Sequence, residues 1–150
     1  MKKIRVLFLC ATNSVQSPMA EALLNRLSSE NFEVTSAGIE PGEMHPFTIE
    51  VMRAIGIDME GRVSKTVPEV SRLDFDFVIT LCDRSRSECR TFPEAERVHW
   101  QFDDPLAVMD CAKQKRMFHS IRDQIAQRVR LFALVQVRFA PVDTSPVQVG

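Results

Sequence analysis

Two short apolar runs, "IRVLFLC" and "FDFVITLC", constrain this chain more than any other feature. Each is nearly continuous in bulky side chains instead of alternating with polar ones. That pattern predicts strands over residues 4–9 and 75–81 that are buried on both faces. Each run also ends in a cysteine, Cys10 or Cys82. A strand buried on both faces needs cover above and below, and the intervening sequence supplies it. Ser17-Pro18 opens a predicted helix to residue 29, with Ser17 as cap and Met19, Ala20, Leu23, Leu24 and Leu27 at helical spacing. A strand over 32–36, closed by Ala37-Gly38, precedes a helix that starts at Pro46 and stops at Gly56. A weaker helical turn over 68–73 and a short strand over 98–100 come next. A long amphipathic helix over 112–135 follows, in which Met117, Phe118, Ile121, Ile125, Val129 and Phe132 form a core-facing stripe.

Strands alternating with helices imply right-handed crossovers and a parallel sheet. The expected architecture is α/β: a three-layer α/β/α arrangement around a central four-stranded parallel sheet in flavodoxin-like order. With 150 residues the chain is read as one domain over 1–137, followed by a loose C-terminal tail over 138–150 that contains "FAPVDTSPVQVG". Charged residues make up 26% of the chain and the net charge is -1, so there is no basic field for nucleic acid. No apolar run has the length to span a bilayer, and the segment ending at Cys10 is too short for a signal peptide. A cytoplasmic monomer without a cofactor or metal is expected. The four cysteines make no CxxC pair that would suggest zinc, and Cys111 is expected to be a small core residue.

Ligands of parallel sheets collect at the carboxyl ends of the strands. Cys10, Cys82 and the "FDDP" turn after residue 100 would all meet there. After Cys10, the backbone N–H groups of Ala11, Thr12, Asn13, Ser14, Val15, Gln16 and Ser17 can curl round an anion, with the following helix adding its positive end. Such a field is expected to lower the Cys10 thiol pKa from about 8.5 toward or below neutrality. Asn13 can brace the loop and Ser17 can hydrogen-bond the sulfur. A thiolate beneath a bound tetrahedral oxyanion is placed to attack its central atom.

The spacing of Cys10, position 16, Ser17 and Pro18 resembles the phosphate loop of the low-molecular-weight protein tyrosine phosphatase superfamily. Within that superfamily, "SAGIEP", "ITLC" with a second cysteine at Cys89, and "HWQFDDP" resemble the thioredoxin-coupled arsenate reductases. The resemblance covers about residues 4–135. It implies that Cys10 attacks arsenate, that Cys82 attacks the adduct and forms a disulfide with Cys10, and that Cys89 then takes over. The resulting Cys82–Cys89 disulfide would be reduced by thioredoxin. It also implies that Asp104 is the general acid. Leu106-Ala107 stands where the tyrosine phosphatases carry aromatic residues, and the chain has no tyrosine, which favours the reductase branch. Members of the superfamily that bind potassium use residues matching Asn13, Glu21 and Ser36, but have an acid where Lys65 falls.

Gln16 breaks the signature, which has arginine at that position. Arginine offers a planar fork of donors and a full charge, whereas glutamine offers one neutral amide. Removing one preorganised donor commonly costs roughly 10²–10³ in rate. Either the oxyanion site is degraded or Arg84 or Arg86 supplies the charge, although surface solvation is the plainer reading of both arginines. Three functions therefore stay open: an arsenate reductase-like oxidoreductase acting on a small oxyanion, a phosphatase needing only Cys10 and Asp104, and a non-catalytic oxyanion-binding relative.

Overall fold

The computed structural model describes residues 2–138. Four parallel strands form one sheet in the order β2-β1-β3-β4, with β1 Ile4–Cys10, β2 Phe32–Gly38, β3 Phe77–Thr80 and β4 Glu96–His99. The helices are α1 Gln16–Ser28, α2 Pro46–Arg53, α3 Val67–Val70 and α4 Cys111–Arg138. Two 3₁₀ segments, Asp83–Thr91 and Pro105–Ala107, complete the elements. This is the expected three-layer α/β/α fold. No helix among the described residues is long and apolar enough to cross a membrane.

The pleat of β1 sorts its side chains onto two faces. Val6, Phe8 and Cys10 join a core with Met19 and Leu24 of α1, Met52 of α2, and Phe118, Ile121, Ile125 and Val129 of α4. Leu7 and Leu9 point the other way, into a second cluster with Val67 and Val70 of α3, and with Phe75, Val78, Cys89 and Phe92. The continuous apolar run is thus explained, because both faces of β1 are covered. Cys10 and Cys89 lie on opposite faces of the sheet as a consequence.

Several boundaries differ from the sequence reading. β2 continues to Gly38, because Gly38 pairs with Cys10 and bridges Thr66. β3 is shorter at both ends than the run over 75–81, and β4 begins two residues before Val98. Ser17 is not a cap: Val15 occupies that position, and the Ser17 side chain turns toward Cys10. Cys111 is not a core residue either. It opens α4 and is exposed, since the stripe that faces the core begins further along. The expected tail over 138–150 overlaps α4 at Arg138 and otherwise lies outside the described residues.

Candidate active site

β1 ends in Cys10 and α1 begins at Gln16, so the five residues between them must reverse direction over the sheet edge. Asn13 makes the turn with φ 55°, in the left-handed region where asparagine is among the better-tolerated residues. Its side chain is buried and fully engaged. Nδ2 donates to Ser17 Oγ at 2.8 Å and to Ser36 Oγ at 2.9 Å, while Oδ1 accepts from the Lys65 N–H at 2.9 Å. Ser36 Oγ in turn donates to Glu21 at 3.0 Å, and Arg62 stands 3.9 Å from the same carboxylate.

The carbonyls of Cys10, Ala11, Asn13 and Ser14 are turned outward and paired. Ile39 N–H donates to Cys10, Glu40 N–H to Ala11, and His45 N–H to Ser14. The Ser64 hydroxyl bonds the Asn13 carbonyl at 2.7 Å, and that of Thr48 bonds the Ser14 carbonyl at 2.8 Å. The N–H groups of Ala11, Thr12, Ser14 and Val15 have no acceptor among the described residues. Carbonyls fastened outward and donors left free describe a nest for acceptor oxygens. Sequence reasoning missed part of the scaffold that holds it. A Cβ on Gly38 would come within 2.6 Å of Asn13 N, so only glycine lets β2 approach the loop. "SAGIEP" carried that glycine, but which backbone it must admit is a tertiary fact.

Cys10, Ala11, Thr12, Ser14, Val15 and Gln16 line a cavity of about 460 Å³ together with Cys82, Arg84 and Leu106. Gln101, Phe102 and three carboxylates, Asp83, Asp103 and Asp104, complete the lining. Asn13 and Ser17 stand behind the wall. The ends of β1, β3 and β4 therefore bring Cys10, Cys82 and Asp104 to one opening. Asp104 also caps its own turn, where its Oδ1 accepts from the Leu106 N–H at 2.9 Å. Cys89 is not in this cavity. It is 5% exposed, buried in the core cluster beneath the opposite face.

The expected low pKa at Cys10 is not what the structure gives. Cys10 Sγ lies 2.7 Å from Ser17 Oγ. Burial pushes the thiol above its ordinary value. The Ser17 hydroxyl and the N–H groups of Ser17 and Asn13 pull it down, and charge on Cys82 raises it again. With Gln16 where an arginine would stand, no cation among the described residues reverses the effect of burial. Burial likewise raises the Cys89 thiol, partly opposed by Arg97 and Arg86.

Gln16 is itself buried and in use: its amide Nε2 donates to the Asp103 carbonyl at 3.0 Å. Of the two arginines expected as alternative sources of the charge, Arg86 is not part of the lining and stands 3.9 Å from Asp83. Arg84 is the only cation among the described residues that line the cavity, and it is paired with Glu40 at 2.6 Å.

Residues 5–140 match the family model for low molecular weight phosphotyrosine protein phosphatase. This chain belongs to that family. It is 36% identical over 135 residues to an arsenate reductase of Halalkalibacterium halodurans, which covers 89% of this chain and 97% of the relative. A solved arsenate reductase in the phosphate binding state superimposes with a TM-score of 0.75 at 30% identity, covering 86% of this chain and 95% of that one. A thioredoxin-dependent arsenate reductase of Corynebacterium glutamicum gives a TM-score of 0.70 at 28% identity, covering 91% of this chain and 63% of that one.

Proposed function

We propose that this protein is an arsenate reductase whose thiols are regenerated by thioredoxin. The observation that carries the reading is the convergence of Cys10, Cys82 and Asp104 on one cavity, beneath a loop whose free N–H groups await oxygens. Cys10 Sγ attacks arsenic, and the departing oxygen takes a proton from Asp104 and leaves as water. Cys82 Sγ then attacks Cys10 Sγ. The S–As electron pair returns to arsenic, arsenite leaves, and a Cys10–Cys82 disulfide remains. Cys89 attacks Cys82, which frees Cys10, and the dithiol of thioredoxin reduces Cys82–Cys89. Ser17 and the Asn13 N–H stabilise the Cys10 thiolate against the effect of burial. The neutral Gln16 makes oxyanion capture weaker than an arginine would, so slow turnover is part of the proposal.

The burial of Cys89 on the opposite face favours a second reading, hydrolysis of a phosphoester by Cys10 and Asp104 alone. Thiol trapping after exposure to arsenate separates the two. A Cys82–Cys89 disulfide supports reduction. Turnover of an aryl phosphate that survives loss of Cys82 and Cys89 supports hydrolysis.

A further inference from the structure

Two amide side chains line the cavity, Gln16 and Gln101, and they are committed in opposite senses. Gln16 spends its NH2 group, which donates to the Asp103 carbonyl at 3.0 Å. Gln101 spends its oxygen instead: Oε1 lies 2.8 Å from His99 Nε2. The neighbours of His99 fix the direction of that bond. Asp83 Oδ1 stands 3.8 Å from Nε2 and favours a proton there, while Nδ1 lies 2.6 Å from the Thr80 hydroxyl. The other acceptor that Thr80 reaches among the described residues, the Val98 carbonyl, is 3.5 Å away, so the hydroxyl proton is available to Nδ1. Thr80 therefore donates to Nδ1, and Nε2–H donates to Gln101 Oε1. A protonated imidazole would donate through Nε2 as well, so both forms turn the Gln101 oxygen toward His99. The NH2 group of Gln101 is left without an acceptor among the described residues.

From this we infer that Gln101 is a substrate-binding residue whose NH2 group donates to an oxygen of the oxyanion held by the loop, with His99 as the positioning residue that orients the amide. The segment that carries Gln101 borders position 16, because the Gln16 amide reaches the Asp103 carbonyl two residues further on. A neutral donor thus enters the site from the end of β4, where the family signature would bring a charged one from α1. The loop meets it with its unpaired N–H groups. Thr12 and Ser14 bond each other at 2.6 Å, which leaves one hydroxyl proton of that pair for the ligand as well. The carboxylate beside Gln101 is no obstacle to an anion, since Asp83 is placed 3.9 Å from Arg86 as well as 3.8 Å from His99. This role deepens the proposed function by naming a residue that holds its substrate. It rests on the loop's being an oxyanion site and serves reduction and hydrolysis alike.

The test is binding of inorganic phosphate to the reduced full-length protein, read by calorimetry and by protection of Cys10 from iodoacetamide. Gln101→Ala should weaken phosphate binding roughly 10–100-fold, the worth of a hydrogen bond to a charged group. Gln101→Glu should weaken it further, because a carboxylate then faces the anion. Gln101 is exposed, so Gln101→Ala should leave the urea melt in place. In arsenate turnover the same variant should raise KM more than it lowers kcat, as loss of uniform binding does. His99→Phe removes the donor that orients the amide and should weaken phosphate binding less than Gln101→Ala. Its effect should vanish once Gln101 is alanine, because a positioning residue acts only through the side chain it positions. A merely structural contribution from His99 would persist in that background and would remove its role. Equal phosphate affinity in Gln101→Ala and the natural protein overturns the inference and leaves the oxyanion loop standing. Absence of phosphate binding by the natural protein removes the loop's role and this inference together. Phosphate affinity is measured without turnover, so absence of arsenate reduction bears on the reductase reading alone.

Discussion

The side-chain amide of Gln16 donates to the backbone carbonyl of Asp103 at 3.0 Å, tying the first turn of α1 to the loop that carries Asp104. The residue that breaks the family signature is therefore a bridge between the two halves of the site. Its substitution should change two things at once, the charge over the cavity and the hold on the acidic loop.

Gln16→Arg should strengthen binding of phosphate, sulfate or arsenate by about 1.5–3 kcal/mol, the usual worth of a hydrogen bond to a charged group. It should also lower the Cys10 pKa, seen as faster alkylation by iodoacetamide at mildly acidic pH. If Arg84 already serves the anion despite its pairing with Glu40, the gain will be small and Arg84→Ala will weaken binding instead. Calorimetry on the three proteins decides. No anion binding in any of them would remove the claim that this loop holds oxyanions.

Asn13→Ala should destabilise the fold by about 2–4 kcal/mol. It leaves the half-buried Lys65 N–H and the buried Ser17 and Ser36 hydroxyls short of a partner, and places alanine in the left-handed region. Asn13→Gly removes the second cost and keeps the first, so it should fall between alanine and the natural protein in urea melts. Equal losses for the two variants would show that the backbone conformation contributes nothing.

Both raised thiols carry a pH signature. Above the ordinary thiol value of about 8.5, the unfolded chain releases the protons of Cys10 and Cys89 while the folded chain retains them. The native state then binds more protons, so stability falls as pH rises from the unfolded value through the folded values and is unaffected by these groups well below the unfolded value. Denaturation in urea from pH 7 to 10 should show this decline. Cys89→Ala should flatten part of it, whereas a profile unchanged in slope would mean that burial does not raise the Cys89 thiol.

What the sequence disclosed follows from how local each feature is. β1 was legible because covering both faces leaves no polar position in "VLFL", and the α4 stripe because one face meets the core at helical period. β4 was misplaced because "ERVH" has two exposed and two half-buried positions and no strong pattern. The position of Cys89 was not legible at all. Within "DRSRSECRT" only Ser85 and Cys89 are buried, and polar neighbours conceal a residue that packs beneath a 3₁₀ segment. The Cys10 pKa was misjudged for a related reason: an N-terminal helix field is visible in sequence order, but the depth of burial that opposes it is not.

The last prediction concerns how Cys89 reaches Cys82. In the reduced protein Cys89 lies in the cluster with Leu7, Leu9 and Phe92, while Cys82 borders the cavity and packs against the other core. A disulfide requires alpha carbons within about 7 Å and side chains directed at each other, so the segment Asp83–Thr91 must leave its 3₁₀ conformation for the proposed relay to close. That movement withdraws Cys89 from an apolar site and breaks the Arg84–Glu40 pair as Arg84 is carried along. Oxidation by arsenate should accordingly raise amide exchange across residues 83–91 and leave β1 and α1 protected. Cys89→Ala should complete one reduction and then stall with a Cys10–Cys82 disulfide, its 83–91 segment remaining protected. Repeated turnover with thioredoxin in Cys89→Ala would remove Cys89 from the relay. An oxidised natural protein with unchanged exchange over 83–91 would show that the disulfide forms without the unwinding that its burial demands.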